Sequence, residues 1–182
     1  MERTVSSEVL HQGRSFSFKR DEVQLPNGRR TFRDIVDHPG AVAIVPVLPD
    51  GRVALVRQYR YAVRKSLLEL PAGTLERGES PLDCARRELR EETGYEPGAI
   101  EKLLSFYTAP GYSSEMIYIF VARDLRLVGA EAESDESITV EPLELEEVLR
   151  LVDENIIEDA KTICGILALL RTTGERTKVC YG

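Results

Sequence analysis

The 182-residue sequence lacks an excess of positive charge and any long apolar run. Its formal net charge is −7, which argues against general binding to DNA or to an anionic membrane surface, because both need clustered positive charge. No apolar run approaches membrane-spanning length, and the opening MERTVSSEVL lacks the apolar core of a signal peptide. We therefore expect a cytoplasmic protein that binds neither nucleic acid nor membrane.

Cysteine and histidine are also scarce. Cys84, Cys164 and Cys180 are odd in number and lack the spacing of a metal site, so reduced thiols are the simplest interpretation. His11 and His38 have no neighbouring pattern of carboxylates or cysteines, and we expect both on the surface. These counts give no support to a zinc site or a disulfide framework.

Strand-like segments fill much of the chain. Asn27-Gly28 suits a tight turn between two strands, and Pro49-Asp50-Gly51 separates AVAIVPVL from RVALVRQYR, which predicts a second hairpin. Helical spacing appears later, in PLELEEVLRLVDE and EDAKTICGILALLRT. The pattern predicts a mixed α+β domain, with a β extension formed by about the first 40 residues.

The stretch GTLERGESPLDCARRELREETGY, residues 73–95, is rich in both glutamate and arginine. Ser80 can cap a helix, Pro81 fits the first helical position, and Gly94 fits the position just beyond the end. The sequence therefore predicts a helix from about 81 to 93.

Three glutamates share one face of that predicted helix. Glu88, Glu91 and Glu92 fall within about a third of its circumference, at the usual ~100° per residue. A salt-bridged surface helix is the simpler explanation, with Arg87 and Glu91 as an i, i+4 pair. Clustered carboxylates nevertheless repel one another, and a divalent cation such as magnesium or manganese would remove that repulsion.

The spacing around these glutamates resembles the Nudix box, the loop–helix–loop signature of the Nudix hydrolases. The matching residues are Gly73, Glu79, Arg87, Glu88, Leu89, Glu91, Glu92 and Gly94. The last box position is usually aliphatic and here is Tyr95, a departure that touches no expected ligand. The resemblance implies a metal-dependent enzyme with an α/β/α sandwich built around a mixed sheet.

Segments outside the box are similar to the ADP-ribose pyrophosphatase branch of that family. They are LVRQYRYAVRKSLLELPAGTLERGES, APGYSSE with Pro110, and IIEDAKTICGILALL. The similarity spans roughly residues 20 to 171 and implies hydrolysis of ADP-ribose to AMP and ribose 5-phosphate. It divides the chain into an N-terminal β region, 1–39, and a Nudix hydrolase domain, 40–182.

The resemblance assigns roles residue by residue. Glu88 and Glu92 are the expected principal ligands of Mg²⁺ or Mn²⁺, with Glu91 and the backbone carbonyl of Ala72 completing the set. The residues expected to shape the box are Gly73, Glu79, Arg87 and Gly94.

The catalytic base is expected in a loop outside the box. In the acidic segment VGAEAESDESITV, Glu136 is the first choice and Glu133 the second, with Glu91 as a further alternative. The simpler interpretation is a solvated acidic loop.

Three residues are expected to contact substrate. Arg60 would reach phosphate, Phe32 would stack on adenine, and Glu115 would lie near the pocket, where its role toward metal or toward ribose stays open. A surface position for Arg60 and core packing for Phe32 are the competing interpretations.

In relatives the N-terminal strands cross to a second subunit, which implies a homodimer whose interface includes residues from about 14 to 40. Three other functions stay open: hydrolysis of another nucleoside diphosphate sugar, a non-catalytic Nudix ligand sensor, and a helical interaction protein. The last does not explain the fixed glycines, and a sensor would often lose box carboxylates that are all present here.

Overall fold

The structure, a computed structural model, describes residues 1–129 and 138–173. Within these ranges the chain forms ten strands and three helices. The strands are β1 Arg3–Gln12, β2 Ser17–Gln24, β3 Arg30–Asp37, β4 Ala41–Pro46, β5 Val53–Arg60, β6 Lys65–Glu69, β7 Ala72–Thr74, β8 Tyr95–Tyr107, β9 Met116–Leu127 and β10 Ile138–Leu143. The helices are α1 Pro81–Thr93, α2 Leu145–Asp153 and α3 Ala160–Thr173.

The first three strands form an antiparallel sheet of their own, in the order β1-β2-β3. Residues Gln24 and Arg30 face each other across the turn between β2 and β3, and Gly28 in that turn adopts a φ of +83°. A positive φ is easily reached by glycine, as the Asn-Gly signal predicts. The expected N-terminal β extension is therefore confirmed, and β1 adds an edge strand that is exposed along its whole length.

Seven strands form two further sheets. The mixed sheet has the order β7-β4-β9-β8, in which β4 and β9 are parallel and the other neighbours antiparallel. The second sheet has the order β10-β5-β6 and is antiparallel throughout. This mixed α+β arrangement agrees with the expected fold class.

The predicted hairpin between β4 and β5 is wrong. These two strands belong to different sheets, and the ladder between their ends is a single isolated bridge from Val47, just after β4, to Val53 of β5. Both edges of β4 are already hydrogen-bonded, to β7 and to β9, so no edge is left for β5. The turn is tight, as Pro49-Asp50-Gly51 predicts, but it carries the chain from one sheet to another.

Side chains of β4 alternate between two hydrophobic clusters. Val42 and Ile44 pack in the cluster that contains the buried face of α1, whereas Ala43 and Val45 pack in the cluster that contains α3. The mixed sheet is thus covered by a helix on each face, which gives the α/β/α sandwich. This explains why the AVAIVPVL segment is apolar on both faces.

Helix α3 lies close to the sheet at Gly165. A β-carbon at this position would lie 2.5 Å from Leu70 Cδ1 and 3.3 Å from Val45 Cγ2, so a larger residue would push the helix away. In the described part of the chain, no helix is long and apolar enough to span a bilayer.

Candidate active site

Helix α1 has well-defined caps at both ends. The Ser80 hydroxyl accepts a hydrogen bond from the backbone N–H of Asp83 at 3.2 Å, and Pro81 occupies the first turn. Gly94 ends the helix in the left-handed conformation, at a φ of +73°. The predicted helix over 81–93 is confirmed, together with both of its caps.

The buried side of α1 determines which side chains reach the solvent. Cys84, Ala85 and Leu89 are fully buried against the sheet, and burial raises the pKa of the Cys84 thiol, which keeps it protonated and inert. The three glutamates lie at the edge of this buried side. All three line a cavity of about 1580 Å³, which the N-terminal sheet, the mixed sheet and the start of α3 also border.

Arg87 is the centre of the ion pairs on α1. Its guanidinium donates to Glu79 through Nε at 2.9 Å and Nη2 at 3.1 Å, and through Nη1 to Glu88 at 2.7 Å and Glu91 at 3.0 Å. The hydrogen bond from Arg87 lowers the pKa of Glu79 to about 2. Arg87 thus links Glu79, in the loop before α1, to two carboxylates of the helix, those of Glu88 and Glu91.

Glu88 lies between the helix and the strand β7. Burial raises the pKa of Glu88 above its usual value, although Arg87 opposes this shift with its charge and hydrogen bond. A β-carbon on Gly73 would overlap the Glu88 carboxylate, so only glycine leaves room for it. Burial of a carboxylate beside a second acidic residue is costly unless cations compensate it.

Glu92 is turned toward the chain segment that precedes Gly73. Its Oε2 accepts a hydrogen bond from the backbone N–H of Ala72 at 3.0 Å. Among residues 1–129 and 138–173, no three Asp, Glu, His or Cys side chains converge tightly enough to hold a metal ion as they stand. The oxygen-only set of Glu88, Glu91, Glu92 and the Ala72 carbonyl nevertheless has the chemistry that Mg²⁺ or Mn²⁺ prefers.

A second cluster of charges borders the same cavity. Arg60, at the end of β5, donates to the buried Glu69 through Nε at 2.8 Å and Nη2 at 2.7 Å. Lys161, in the first turn of α3, also donates to Glu69 and lies 3.0 Å from Asp159. Burial alone would raise the pKa of Glu69, but the hydrogen bond from Arg60 and the charge of Lys161 outweigh it, so this pKa is lowered.

Glu115 lies on another part of the cavity wall, held by residues from two different segments. Thr108 Oγ1 donates to Glu115 Oε2 at 2.7 Å, and His38 Nε2 lies 3.7 Å from Glu115 Oε1. The Gly40 N–H donates to His38 Nδ1 at 3.1 Å, which leaves Nε2 as the ring nitrogen that faces Glu115.

The surface position expected for His38 is wrong, because its side chain is only 10% exposed and packs beside Glu115. The expectation for His11 agrees with the structure, since this residue is exposed on β1. Cys84 and Cys164 are free thiols, and Cys180 lies outside the described residues.

The remaining expected site residues are Phe32, Glu133 and Glu136. Phe32 is 61% exposed on β3 and is not part of the cavity wall of its own chain, so the alternative of core packing does not hold. Glu133 and Glu136 lie outside the described residues. Ile138, two residues after Glu136, starts β10 and lines the cavity.

Three polar residues of this region were missed by sequence reasoning: Glu69, Thr108 and Lys161. Glu69 stands in the segment ELPAG between two apolar residues, and its buried carboxylate requires a partner. That isolated charge in an apolar strand was a usable signal. Lys161 offered none, because a lysine at the start of a helix is unremarkable without its spatial neighbours.

A model of the NUDIX domain matches residues 37–164 of the chain. The chain belongs to the Nudix family. The match covers β4 to β10 and ends within α3, and it includes every residue of the Nudix box. The carboxylate-rich α1 is therefore the Nudix helix, and divalent-metal dependence is general among Nudix hydrolases.

Two curated relatives are similar over about nine-tenths of the chain. A protein from Bacillus subtilis named ADP-ribose pyrophosphatase is 40% identical over 167 residues, covering 91% of this chain and 90% of its own. A protein from Bacillus methanolicus named methanol dehydrogenase activator is 41% identical, with the same two coverages.

Among solved structures, one described as an ADP compounds hydrolase superimposes with a TM-score of 0.82. The superposition covers 95% of this chain and 96% of that one at 24% sequence identity. At this identity the likeness speaks for the fold, including the N-terminal sheet that precedes the Nudix domain match.

Proposed function

We propose that the chain hydrolyses the diphosphate of ADP-ribose to AMP and ribose 5-phosphate. One observation carries this proposal: Glu88, Glu91 and Glu92 line the same cavity as Arg60 and Lys161. One wall thus supplies oxygen ligands for a divalent cation, and another carries Arg60, the cation proposed to contact the diphosphate, with Lys161 on the same buried carboxylate. The relative named ADP-ribose pyrophosphatase, which is 40% identical to this chain, supports the choice of substrate.

Mg²⁺ is the proposed cofactor, with Mn²⁺ as a substitute. Glu88 and Glu92 would be its principal ligands, with Glu91 and the carbonyl of Ala72 completing the set. When bound, such a cation neutralises charge on the diphosphate and lowers the pKa of the attacking water. In this proposal Arg87 orients two of the carboxylates, since it donates hydrogen bonds to Glu88 and Glu91.

Removal of a proton from the attacking water is assigned to Glu136. The support is its place in the chain, two residues before Ile138, which lines the cavity at the start of β10. Glu133 is the second choice and Glu91 the third. A carboxylate in this role needs to reach the water only by a hydrogen bond.

Arg60 and Glu115 are the proposed substrate contacts within one chain. Both line the cavity, and each is already held in place by a partner, Glu69 for the arginine and Thr108 for the glutamate. Such preorganisation reduces the entropy that is lost when the substrate binds.

The proposed assembly is a homodimer in which region 1–39 contributes to the substrate site of the partner. Phe32 is exposed outside the cavity wall of its own chain, and β1 is exposed along its length. An edge strand of this kind can be covered by a second copy. The proposed compartment is the cytoplasm, since the free thiols Cys84 and Cys164 are typical of a reducing environment.

A panel of nucleoside diphosphate compounds, assayed with Mg²⁺ and with Mn²⁺, tests the proposed function. Chromatography should resolve AMP and ribose 5-phosphate as the products from ADP-ribose. Faster turnover of another nucleoside diphosphate sugar would assign the enzyme to that substrate instead. Binding without turnover of any compound, under both metals, would favour the ligand-sensor alternative.

A further inference from the structure

The buried Glu69 accepts from two cations that come from different elements. Arg60 of β5 contacts both carboxylate oxygens, and Lys161 of α3 contacts Oε2. The Glu69 side chain is 1% exposed and that of Lys161 is 13% exposed. A carboxylate at this depth stays ionised only while cations compensate its burial.

Lys161 has a second acidic neighbour, Asp159, which immediately precedes α3. Asp159 Oδ1 lies 3.0 Å from Lys161 Nζ, while Asp159 Oδ2 accepts from the Thr162 N–H at 2.9 Å and its hydroxyl at 2.6 Å. The Thr162 oxygen in turn accepts from the N–H of Leu70 at 2.8 Å. Lys161 is thus part of a hydrogen-bonded network that joins the start of α3 to the segment before Ala72.

The network contains two positive and two negative side chains, so it is neutral. Three of its members, Arg60, Asp159 and Lys161, line the cavity directly. Loss of the Lys161 charge alone would leave a net charge of −1 beside the place where a diphosphate is proposed to bind. Arg60 would then be the only cation in the network, shared between Glu69 and the substrate.

We propose that Lys161 balances the charge of Glu69 and Asp159, so that Arg60 remains available to the diphosphate of the substrate. In this role Lys161 is a positioning residue for binding of the anionic substrate. The inference rests on the proposed function, which supplies a diphosphate as the ligand. In the alternative, purely structural role, Lys161 would only hold α3 to the sheet, and its charge would not affect substrate binding.

Three variants of the full-length protein separate these two roles. Lys161→Met removes the charge and keeps an unbranched side chain, whereas Lys161→Arg restores the charge. The double variant Asp159→Asn with Lys161→Met returns the network to neutrality. The side-chain oxygen of the introduced asparagine can still accept from Thr162, because asparagine is as good a helix cap as aspartate.

Binding is measured by calorimetry with ADP-ribose in EDTA, which prevents turnover, and with adenosine as an uncharged control. KM and kcat are then measured with Mg²⁺. Lys161→Met should weaken ADP-ribose binding by about tenfold or more, because the uncompensated negative charge it leaves beside the site repels the diphosphate. Adenosine affinity should not change, and KM should rise more than kcat falls.

Lys161→Arg should restore ADP-ribose affinity to within about threefold of the wild type, and the neutral double variant should recover most of the loss. The inference is overturned if Lys161→Met binds ADP-ribose normally, if it loses ADP-ribose and adenosine equally, or if the double variant is as weak as the single one. A wild-type protein that prefers another nucleoside diphosphate would revise the proposed substrate, and the same comparison would be made with that compound. A wild-type protein that neither binds nor hydrolyses any nucleoside diphosphate in the presence of Mg²⁺ would overturn both proposals.

Discussion

Gly73 and Glu88 are packed so closely that a β-carbon on residue 73 would overlap the carboxylate of residue 88. The change Gly73→Ala should therefore displace Glu88 and lower kcat by ~100-fold, the scale expected when a catalytic group is misplaced by about 1 Å. Gly111→Ala is the matched control, because a β-carbon there meets no heavy atom within 4 Å. Kinetic assays of both variants at saturating Mg²⁺ check the prediction, and equal activity would contradict it.

Glu92→Gln tests the proposed metal ligands. The amide oxygen of glutamine can still accept from the Ala72 N–H, so the fold should survive, but one ligand charge is lost. Turnover should fall by ~100-fold or more. Titration of activity with Mg²⁺ provides the measurement, and the same change at the exposed Glu101 serves as control. Retention of most activity at saturating Mg²⁺ would show that Glu92 is not a ligand.

Glu136→Gln tests the proposed general base. Its kcat should fall by ~100- to 10,000-fold, the usual range for loss of such a base, while the Mg²⁺ concentration needed for half-maximal rate should hardly change. Glu133→Gln, made in parallel, shows which carboxylate of the segment matters. Normal rates in both variants would move the role to Glu91 or elsewhere.

The ion pair between Glu79 and Arg87 predicts a pH dependence of stability. The folded-state pKa of Glu79 is about 2, below its ordinary value of 4.5, so its contribution is fully present above about pH 4.5 and is lost as pH falls toward 2. Glu79→Gln should cost about 1 kcal/mol or more of unfolding free energy at pH 7. Urea titrations should show this difference shrinking below pH 4.5, and a difference independent of pH would contradict the prediction.

The proposed homodimer is tested by light scattering. The full chain should have about twice the monomer mass of 20.4 kDa, and deletion of residues 1–38 should abolish both dimerisation and ADP-ribose affinity. A mass near 20.4 kDa at micromolar concentration would rule out a shared site.

Phe32→Ala should raise KM more than it lowers kcat, because stacking contributes to binding.

Local signals in the sequence predicted the Nudix helix and its surroundings well. The helix caps are short-range chemistry, since Ser80, Pro81 and Gly94 act on backbone groups only a few residues away. The turn at Asn27-Gly28 is equally local. These features depend little on the rest of the fold, so a single sequence is enough to find them.

Long-range relationships were harder to predict. The prediction of a β4–β5 hairpin was wrong because β7 and β9 occupy both edges of β4. The residues of the turn carry no information about which strands pair with these edges. Lys161 and Glu69 are 92 positions apart, and neither carries a local sign of the other. His38 and Glu115 meet only because the loop before β9 packs against β3. Each of these contacts is a property of the folded topology.

Helix α3 brings Lys161, with Asp159 just before it, to the cavity and packs against the sheet through Gly165. The ribosome makes this helix after all ten strands of the described chain. A growing chain can therefore complete the Nudix box and its sheet while one wall of the cavity is still missing. A substrate anion that relies on Arg60 and its charge partners, as proposed, would therefore be bound at full affinity only after α3 has been made and has docked.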